Sequence, residues 1–348
     1  MLAHERFDLS LWKVGDLCIN LTKIEYHETA DLSMELHDVQ PNGKERPWDE
    51  KKRKSMIVAD AYKHIGKSSK AARMSACGDV LEFRRYSDGT RKLHMANFCK
   101  IRLCPLCNWR RSRKIFAQMS QIMDVAQQNQ KNKFVFLTLT VRNCKGWQLS
   151  DTIDKLMNGF NLLMKRREIK RNIKGCFRAL EVTHNLDKKS DSYDTYHPHL
   201  HCILMVDESY FCKENELSWN QRHWRKLWQE SIDVQYDPWI YLESVSEQDS
   251  RGAALEVAKY TVKDADYLVF DDDEMTRNTI KFLDDGLFGR RLISYSGEFA
   301  KIRKQLNLDD AETGDLVNTG DEPELRQDLE YVIERYKWNI GYGRYLKT

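Results

Sequence analysis

Apolar positions in the middle of the chain alternate between two periods, and each change of period marks an element. Phe-Val-Phe-Leu-Thr-Leu-Thr-Val is a β-branched and aromatic run that predicts a strand over Lys133 to Val141. From Ser150 to Ile173 the period becomes helical, with Ile153, Leu156, Met157, Phe160, Leu163 and Met164 on one stripe. Cys176 to His184 and Tyr196 to Val206 return to a strand pattern across the polar Asn185 to Asp194, which predicts an antiparallel hairpin. Trp219 to Ile232 predicts a helix, Trp239 to Val245 a strand, and Arg251 to Lys263 another helix. This order gives an α+β fold, helices layered on a mostly antiparallel sheet.

The flanks are more polar. Residues 1 to 75 read as an irregular region with one helix, Asp49 to Ile65, between the turn-like Pro41-Asn42-Gly43 and Gly66. A cysteine-rich segment, 76 to 115, carries a hairpin turn at Ser87-Asp88-Gly89, and Asn108 to Gln130 predicts a long helix. A catalytic domain is expected over 116 to 306. The remainder, 307 to 348, reads as a flexible acidic linker, Asp309 to Glu324, and a segment from Tyr331 to Leu346 whose aromatics dock back onto the body. No internal repeat is evident.

A length of 348 residues allows one large or two modest domains. The net charge of +3 does not point to nucleic acid, but the charges are segregated. Lys100 to Lys114 holds six basic residues and no acid, whereas Asn307 to Glu330 holds nine acids against Arg326. Basic blocks of this kind track a phosphate backbone or, more blandly, form a solvated helix face. Met1 to Trp12 carries His4, Glu5, Arg6 and Asp8 and no apolar run reaches the length of a membrane span, so a cytoplasmic protein without a membrane partner is expected. Nine cysteines, three of them between Cys99 and Cys107, favour metal ligation in a reducing compartment over disulfides.

Candidate chemistry sits in His197-Pro198-His199-Leu200-His201-Cys202-Ile203-Leu204. Side chains two apart share a strand face, so His199 and His201 can hold one ion while Leu200 points into the core. The hairpin puts Glu181, an acid between apolar neighbours, across from them. Two imidazoles and a carboxylate suit Mn²⁺ and tolerate Mg²⁺. On the helix that follows, Glu256, Tyr260 and Lys263 fall at i, i+4 and i+7 and project from one side. Tyrosine, with a free pKa of about 10, is a weak nucleophile, and Lys259 and Lys263 supply the field that steadies its phenolate. Attack on a DNA phosphodiester leaves a 5′-phosphotyrosine and a free 3′-OH, and Glu256 is the candidate base for clearing the adduct. Tyr267 is the rival nucleophile, ranked lower because Asp264, Asp266 and Asp271 disfavour its phenolate.

Cys99, Cys104 and Cys107 have the spacing of a zinc knuckle that needs a fourth ligand, Cys77 first and His94 second, so a structural Zn²⁺ is expected. Arg110, Arg111, Arg113 and Lys114 open the helix beside it and are expected to meet DNA.

These residues carry a resemblance. Phe136 to Val141, His197 to Leu204 and Lys259-Tyr260-Thr261-Val262-Lys263 are similar to the three signatures of the Rep_1 family, rolling-circle plasmid replication initiators of the HUH endonuclease superfamily. The likeness extends to Trp48 to Lys54, Cys77-Gly78, Trp109-Arg110-Arg111 and Gly289 to Ser294, covering roughly residues 45 to 305. It implies a central antiparallel sheet presenting the histidines, nicking of the plus strand at a supercoiled or hairpin double-strand origin by Tyr260, and termination assisted by a carboxylate, Glu256. It further implies a bacterial host and action as a homodimer. Arg290 and Arg291 are expected to contact DNA, and a host helicase is an expected partner that rests on the charge of the acidic stretch. Three other readings compete: a single-strand transposase or relaxase, a histidine-triad nucleotide hydrolase, whose His-φ-His-φ-His pattern the strand also fits, and a non-catalytic origin binder.

Overall fold

A five-stranded antiparallel sheet gathers the apolar runs of the middle of the chain, and a second, four-stranded sheet is built from its two ends. The structure, a computed structural model, describes residues 12–14, 17–19, 34–40, 42–212, 221–246, 250–258, 263–269, 272–320 and 328–348. It divides into two units, residues 1–106 with 324–348, and residues 107–323. In chain order, β1 (Trp12–Val14) pairs with β2 (Leu17–Ile19), and α1 (Trp48–His64) and α2 (Ser68–Ser75) precede the hairpin of β3 (Val80–Tyr86) and β4 (Arg91–Ala96). Helix α3 (Pro105–Gln127) leads to β5 (Asn132–Thr140), α4 (Leu149–Lys165), α5 (Arg167–Asn172) and the long hairpin of β6 (Ile173–Asn185) and β7 (Thr195–Asp207). There follow α6 (Gln221–Ile232), β8 (Ile240–Val245), α7 (Ser250–Ala258), α8 (Asp273–Leu287), β9 (Ile293–Gly297) and α9 (Glu298–Gln305), then β10 (Tyr331–Asn339) and β11 (Arg344–Lys347).

In the second unit the strand order is β8-β5-β7-β6-β9, all antiparallel. One face takes α4, whose stripe of Ile153, Leu156, Phe160 and Leu163 is buried as the helical period predicts. Burying each such side chain contributes about 1.5–3 kcal/mol. That helix stops at Lys165 rather than running to Ile173. Arg166 is extended and ties its guanidinium to Ser231 and Glu230, after which α5 restarts. Strand β9 was hidden in the sequence because its alternation is short. It is held by Gly297, whose φ of +60° and approach to the Lys174 carbonyl exclude a Cβ.

The acidic stretch 309–320 is not a linker. Ala311, Leu316 and Thr319 are buried, and the Glu312 carboxylate accepts the backbone N–H groups of Leu292 and Ile293 at 2.9 and 2.8 Å, pinning the start of β9. Its acids are engaged within the unit, so the domain boundary expected at 307 falls instead near 323. Residues 321–327 lie outside the described residues.

The first unit has the sheet order β11-β10-β3-β4, so the C-terminal segment does dock, as a strand pair beside β3. Trp48, Phe83 and Tyr336 meet edge to face with centroids 5.9 Å apart at each contact. On β10 the buried Glu334 is ringed by Arg85, Arg91 and Lys347 at 2.8–2.9 Å. Burial alone would raise its pKa, but the bonds from Arg91 and Lys347 outweigh it and hold the carboxyl at about 2. A carboxyl depressed on folding stabilises the native state above its unfolded pKa, and that stability is lost as pH falls from about 4.5 towards about 2. Melting curves across this window should show the Glu334→Gln protein less stable than wild type at pH 7 and less sensitive to acid. Parallel curves for the two proteins would refute the assignment.

Candidate active site

The β6–β7 register sets Glu181 directly across from His199, and the β5–β7 register sets Thr138 across from His201. Odd-numbered residues of β7 therefore share one face, while Leu180 and Leu200 are fully buried on the other. Nε2 of His199 lies 3.1 Å from Nε2 of His201, which in turn lies 3.0 Å from Oε2 of Glu181. His199 Nε2 is 3.5 Å from that same oxygen. The far ring nitrogens are held as well: His199 Nδ1 donates to the His197 carbonyl at 3.0 Å, and His201 Nδ1 pairs with Thr138 Oγ1 at 3.1 Å. Both rings are thereby aimed with Nε2 inward, the orientation that a metal-binding histidine takes from its outer partner.

Three donors in this arrangement fit a divalent cation. Ligands about 2.1 Å from an octahedral ion and at right angles stand about 3 Å apart, close to the spacing found here. Burial disfavours ionisation of Glu181, yet hydrogen bonds from His199 and His201 and the charge of Lys263 hold its carboxyl well below the usual carboxylate range. It is the anion such a site requires. Burial, aided by His199, lowers the His197 pKa to about 4, so this third histidine stays neutral and stacks on His199 with centroids 5.0 Å apart.

Helix α7 packs on β6 and β7 and carries Glu256, whose side chain, like all of Lys259 and Tyr260, lies outside the described residues. Lys263 is described and departs from expectation. Its backbone is extended rather than helical, and Nζ lies 3.0 Å from Glu181 Oε1, so the carboxylate and not a helix face positions it. Tyr267 is fully buried, which removes it as a rival nucleophile. Asp266 was not foreseen as a site residue: burial pushes its carboxyl up to about 6, against the pull of the Lys263 N–H and charge. No sequence pattern marks it, because the shift comes from tertiary burial.

Two of the basic residues expected on DNA are fully buried. Arg110 donates to the Leu316 and Val317 carbonyls at 2.9 and 2.7 Å, and Arg111 donates to the Glu312 carbonyl at 3.1 Å. Lys114, also buried, bonds Asp309 and the Asp315 carbonyl. These three are clasps on the acidic stretch and not a DNA surface. Arg113 is half-buried over the Trp109 ring. Arg290 is bound in both directions by Asp154 and to the Gly286 and Ser150 carbonyls, whereas Arg291 pairs with Asp310 and keeps about half its side chain exposed. Truncating Arg110 to alanine leaves two buried carbonyls unbonded, and a loss of about 3 kcal/mol is expected in urea unfolding. A change within about 0.5 kcal/mol would restore the surface reading.

The four cysteines converge. Sγ atoms of Cys77, Cys99, Cys104 and Cys107 all lie within 4.8 Å of one another, with Cys77 and Cys104 3.7 Å apart. Tetrahedral zinc with bonds of about 2.3 Å sets its sulfurs roughly 3.8 Å apart. Backbone N–H groups of Cys99 and Ile101 donate to the sulfurs of Cys77 and Cys99, and Ser55 Oγ lies 3.4 Å from Cys104 Sγ. Lys52, fully buried, grips the Ser75 and Cys77 carbonyls and Asp79 at 2.6–2.8 Å. Gly78 has φ +67° and would press a Cβ to 2.5 Å from Leu106, which explains the glycine after Cys77. His94, the alternative fourth ligand, is exposed on β4.

A family model described as Rep_1, replication protein, matches residues 90–346. The chain is 40% identical over 291 residues to "Protein rep" of Streptococcus pneumoniae serotype 2, covering 82% of this chain and 88% of that one. It is 38% identical over 349 residues to "Protein rep" of Bacillus amyloliquefaciens, covering 92% and 99%. A "Replication protein" of Staphylococcus aureus is 34% identical over 223 residues, 62% of this chain and 92% of that one. No solved structure matches.

Proposed function

The chain belongs to the Rep_1 family of replication proteins, and we propose that this plasmid replication initiator is a metal-dependent, HUH-type nickase of the double-strand origin. The observation that carries the reading is the convergence of Glu181, His199 and His201 on one sheet face, with the outer nitrogens of both histidines fixed. A divalent cation bound there, Mn²⁺ or Mg²⁺, supplies Lewis acidity to a phosphodiester oxygen.

Tyr260 is the nucleophile. Its phenol gives up a proton to water, the phenolate oxygen attacks phosphorus, and the bond to the 3′ oxygen breaks as that oxygen takes a proton from water, leaving a 5′-phosphotyrosine and a free 3′-OH to prime synthesis. The new ester conserves the energy of the old one, so rejoining needs no ATP. Lys263, at 3.0 Å from Glu181, brings positive charge to the edge of the donor set, and Lys259 steadies the phenolate. Glu256 takes a proton from water when the adduct is cleared. A structural Zn²⁺ on Cys77, Cys99, Cys104 and Cys107 completes the proposal.

The test is incubation of wild type and Tyr260→Phe with supercoiled plasmid bearing a candidate origin, with Mn²⁺, Mg²⁺ or EDTA. Wild type should nick only with metal and carry DNA on Tyr260 by mass spectrometry. The variant should lose the adduct entirely and nick at least about 10⁴-fold more slowly. A Tyr260→Phe protein that nicks as well as wild type would sink the assignment.

A further inference from the structure

Beside the triad, on the same sheet face, lies a cavity of about 600 Å³ that the nicking chemistry has not used. Phe136, His201, Trp239, Tyr241 and Glu243 line its sheet side and Ala253 of α7 its helix side. Trp239 is 58% exposed and Tyr241 39%, large apolar surfaces for a soluble strand end. Their planes lie within 12° of each other with centroids 6.2 Å apart, so the two rings stand as an offset, parallel pair along the cavity wall. Phe136 stands edge-on to Tyr241 and tilts against His201, an unbroken aromatic path from the wall to the triad.

The register fixes how far that path runs. Tyr241 pairs with Thr138 on β5, and Thr138 pairs with His201 on β7. Tyr241 and His201 are therefore two strands apart in one row, about 10 Å at the usual strand spacing. A nucleotide whose phosphate lies at the triad has neighbours within that reach. Flat, exposed aromatic rings suit the face of a nucleobase, and only an unpaired base offers its face, since a base within a duplex keeps both faces in the stack. On the cavity wall the Glu243 carboxylate accepts from the Tyr241 hydroxyl at 2.6 Å, which keeps that phenol protonated above its ordinary range. A carboxylate accepts and never donates, so it can take the exocyclic amine of adenine or cytosine, whereas thymine offers it only a ring N3–H flanked by two carbonyl oxygens that repel the carboxylate.

We infer that the Trp239–Tyr241 wall is a stacking subsite for an unpaired, amine-bearing base next to the scissile phosphate, with Glu243 reading its amine. The inference rests on the nicking reading for the position of the phosphate, and its test is separable from it.

Full-length wild type, Trp239→Ala, Trp239→Phe and Glu243→Gln would be titrated, in EDTA, against fluorescein-labelled single-stranded dA12, dC12 and dT12 and a 20-base-pair duplex, with anisotropy as readout. Trp239→Ala should weaken dA12 and dC12 binding about 5- to 100-fold and leave the duplex unchanged, while Trp239→Phe keeps most of the affinity. Wild type should prefer dA12 and dC12 to dT12, and Glu243→Gln should narrow that preference. Trp239→Ala binding within twofold of wild type on every single strand overturns the inference, even when nicking by wild type is intact. Loss of single-strand binding in Trp239→Ala together with a wild type that never nicks under any metal upholds the stacking subsite and removes the nickase reading. Equal binding of the three oligonucleotides by wild type removes the role of Glu243.

Discussion

His201→Ala is expected to abolish metal-dependent nicking to within detection, a loss of at least about 10³-fold or about 4 kcal/mol of barrier. Two facts set the size of the effect. His201 Nε2 is the donor that sits at 3.0–3.1 Å from both of the others, so its loss leaves His199 and Glu181 as a bidentate remnant. Glu181 would also lose a hydrogen bond that keeps it ionised, while Lys263 still holds its other oxygen. Manganese binding followed by electron paramagnetic resonance on the intact protein should fall in parallel with nicking. A variant that binds Mn²⁺ as tightly as wild type while failing to nick would move His201 from metal ligand to substrate contact.

The largest stability effect is expected at the cysteines. Purified protein should contain one zinc per chain, and Cys104→Ser, or stripping with a strong chelator, should lower the melting temperature by more than 10 °C. Apparent zinc binding free energies of about 10–16 kcal/mol in small zinc domains exceed the roughly 5–15 kcal/mol that holds a typical domain together. Metal analysis and melting of the wild type decide the matter: absence of zinc with an unchanged melt would make the cluster ordinary packing.

Much of this site was legible because strands have a strict period of two. His199 and His201 at that spacing, and Glu181 among apolar neighbours on the partner strand, could be set opposite one another once the hairpin was recognised, and the register bears that out. The cysteine quartet was legible for a similar local reason, since three of its thiols fall within a nine-residue span; that Cys77 joins them is a matter of the fold. What the sequence hid was tertiary. Arg110, Arg111 and Lys114 read as a basic surface because a charge run carries no information about the carbonyls it will meet, and those carbonyls belong to residues about 200 positions later. The acidic stretch misled in the complementary way, its carboxylates being the partners of those cations. The raised pKa of Asp266 comes from burial and the place of Thr138 beside His201 from a cross-strand pairing, neither of which leaves a local pattern.

The order β11-β10-β3-β4 sets a timetable for synthesis. The second unit is continuous from residue 107 to 323 and has all its strands in hand as soon as that stretch leaves the ribosome. Strand β3 waits much longer, because its neighbour β10 begins only at Tyr331. At about 5–20 residues per second the delay is roughly 10–50 s, during which the β3–β4 hairpin has an unpaired edge and the cysteine loop lacks the Tyr345 hydroxyl that holds Gly78. A stop codon just after residue 330 would therefore spare every strand of the sheet that bears the triad and leave the first-made part of the protein as the part that cannot finish.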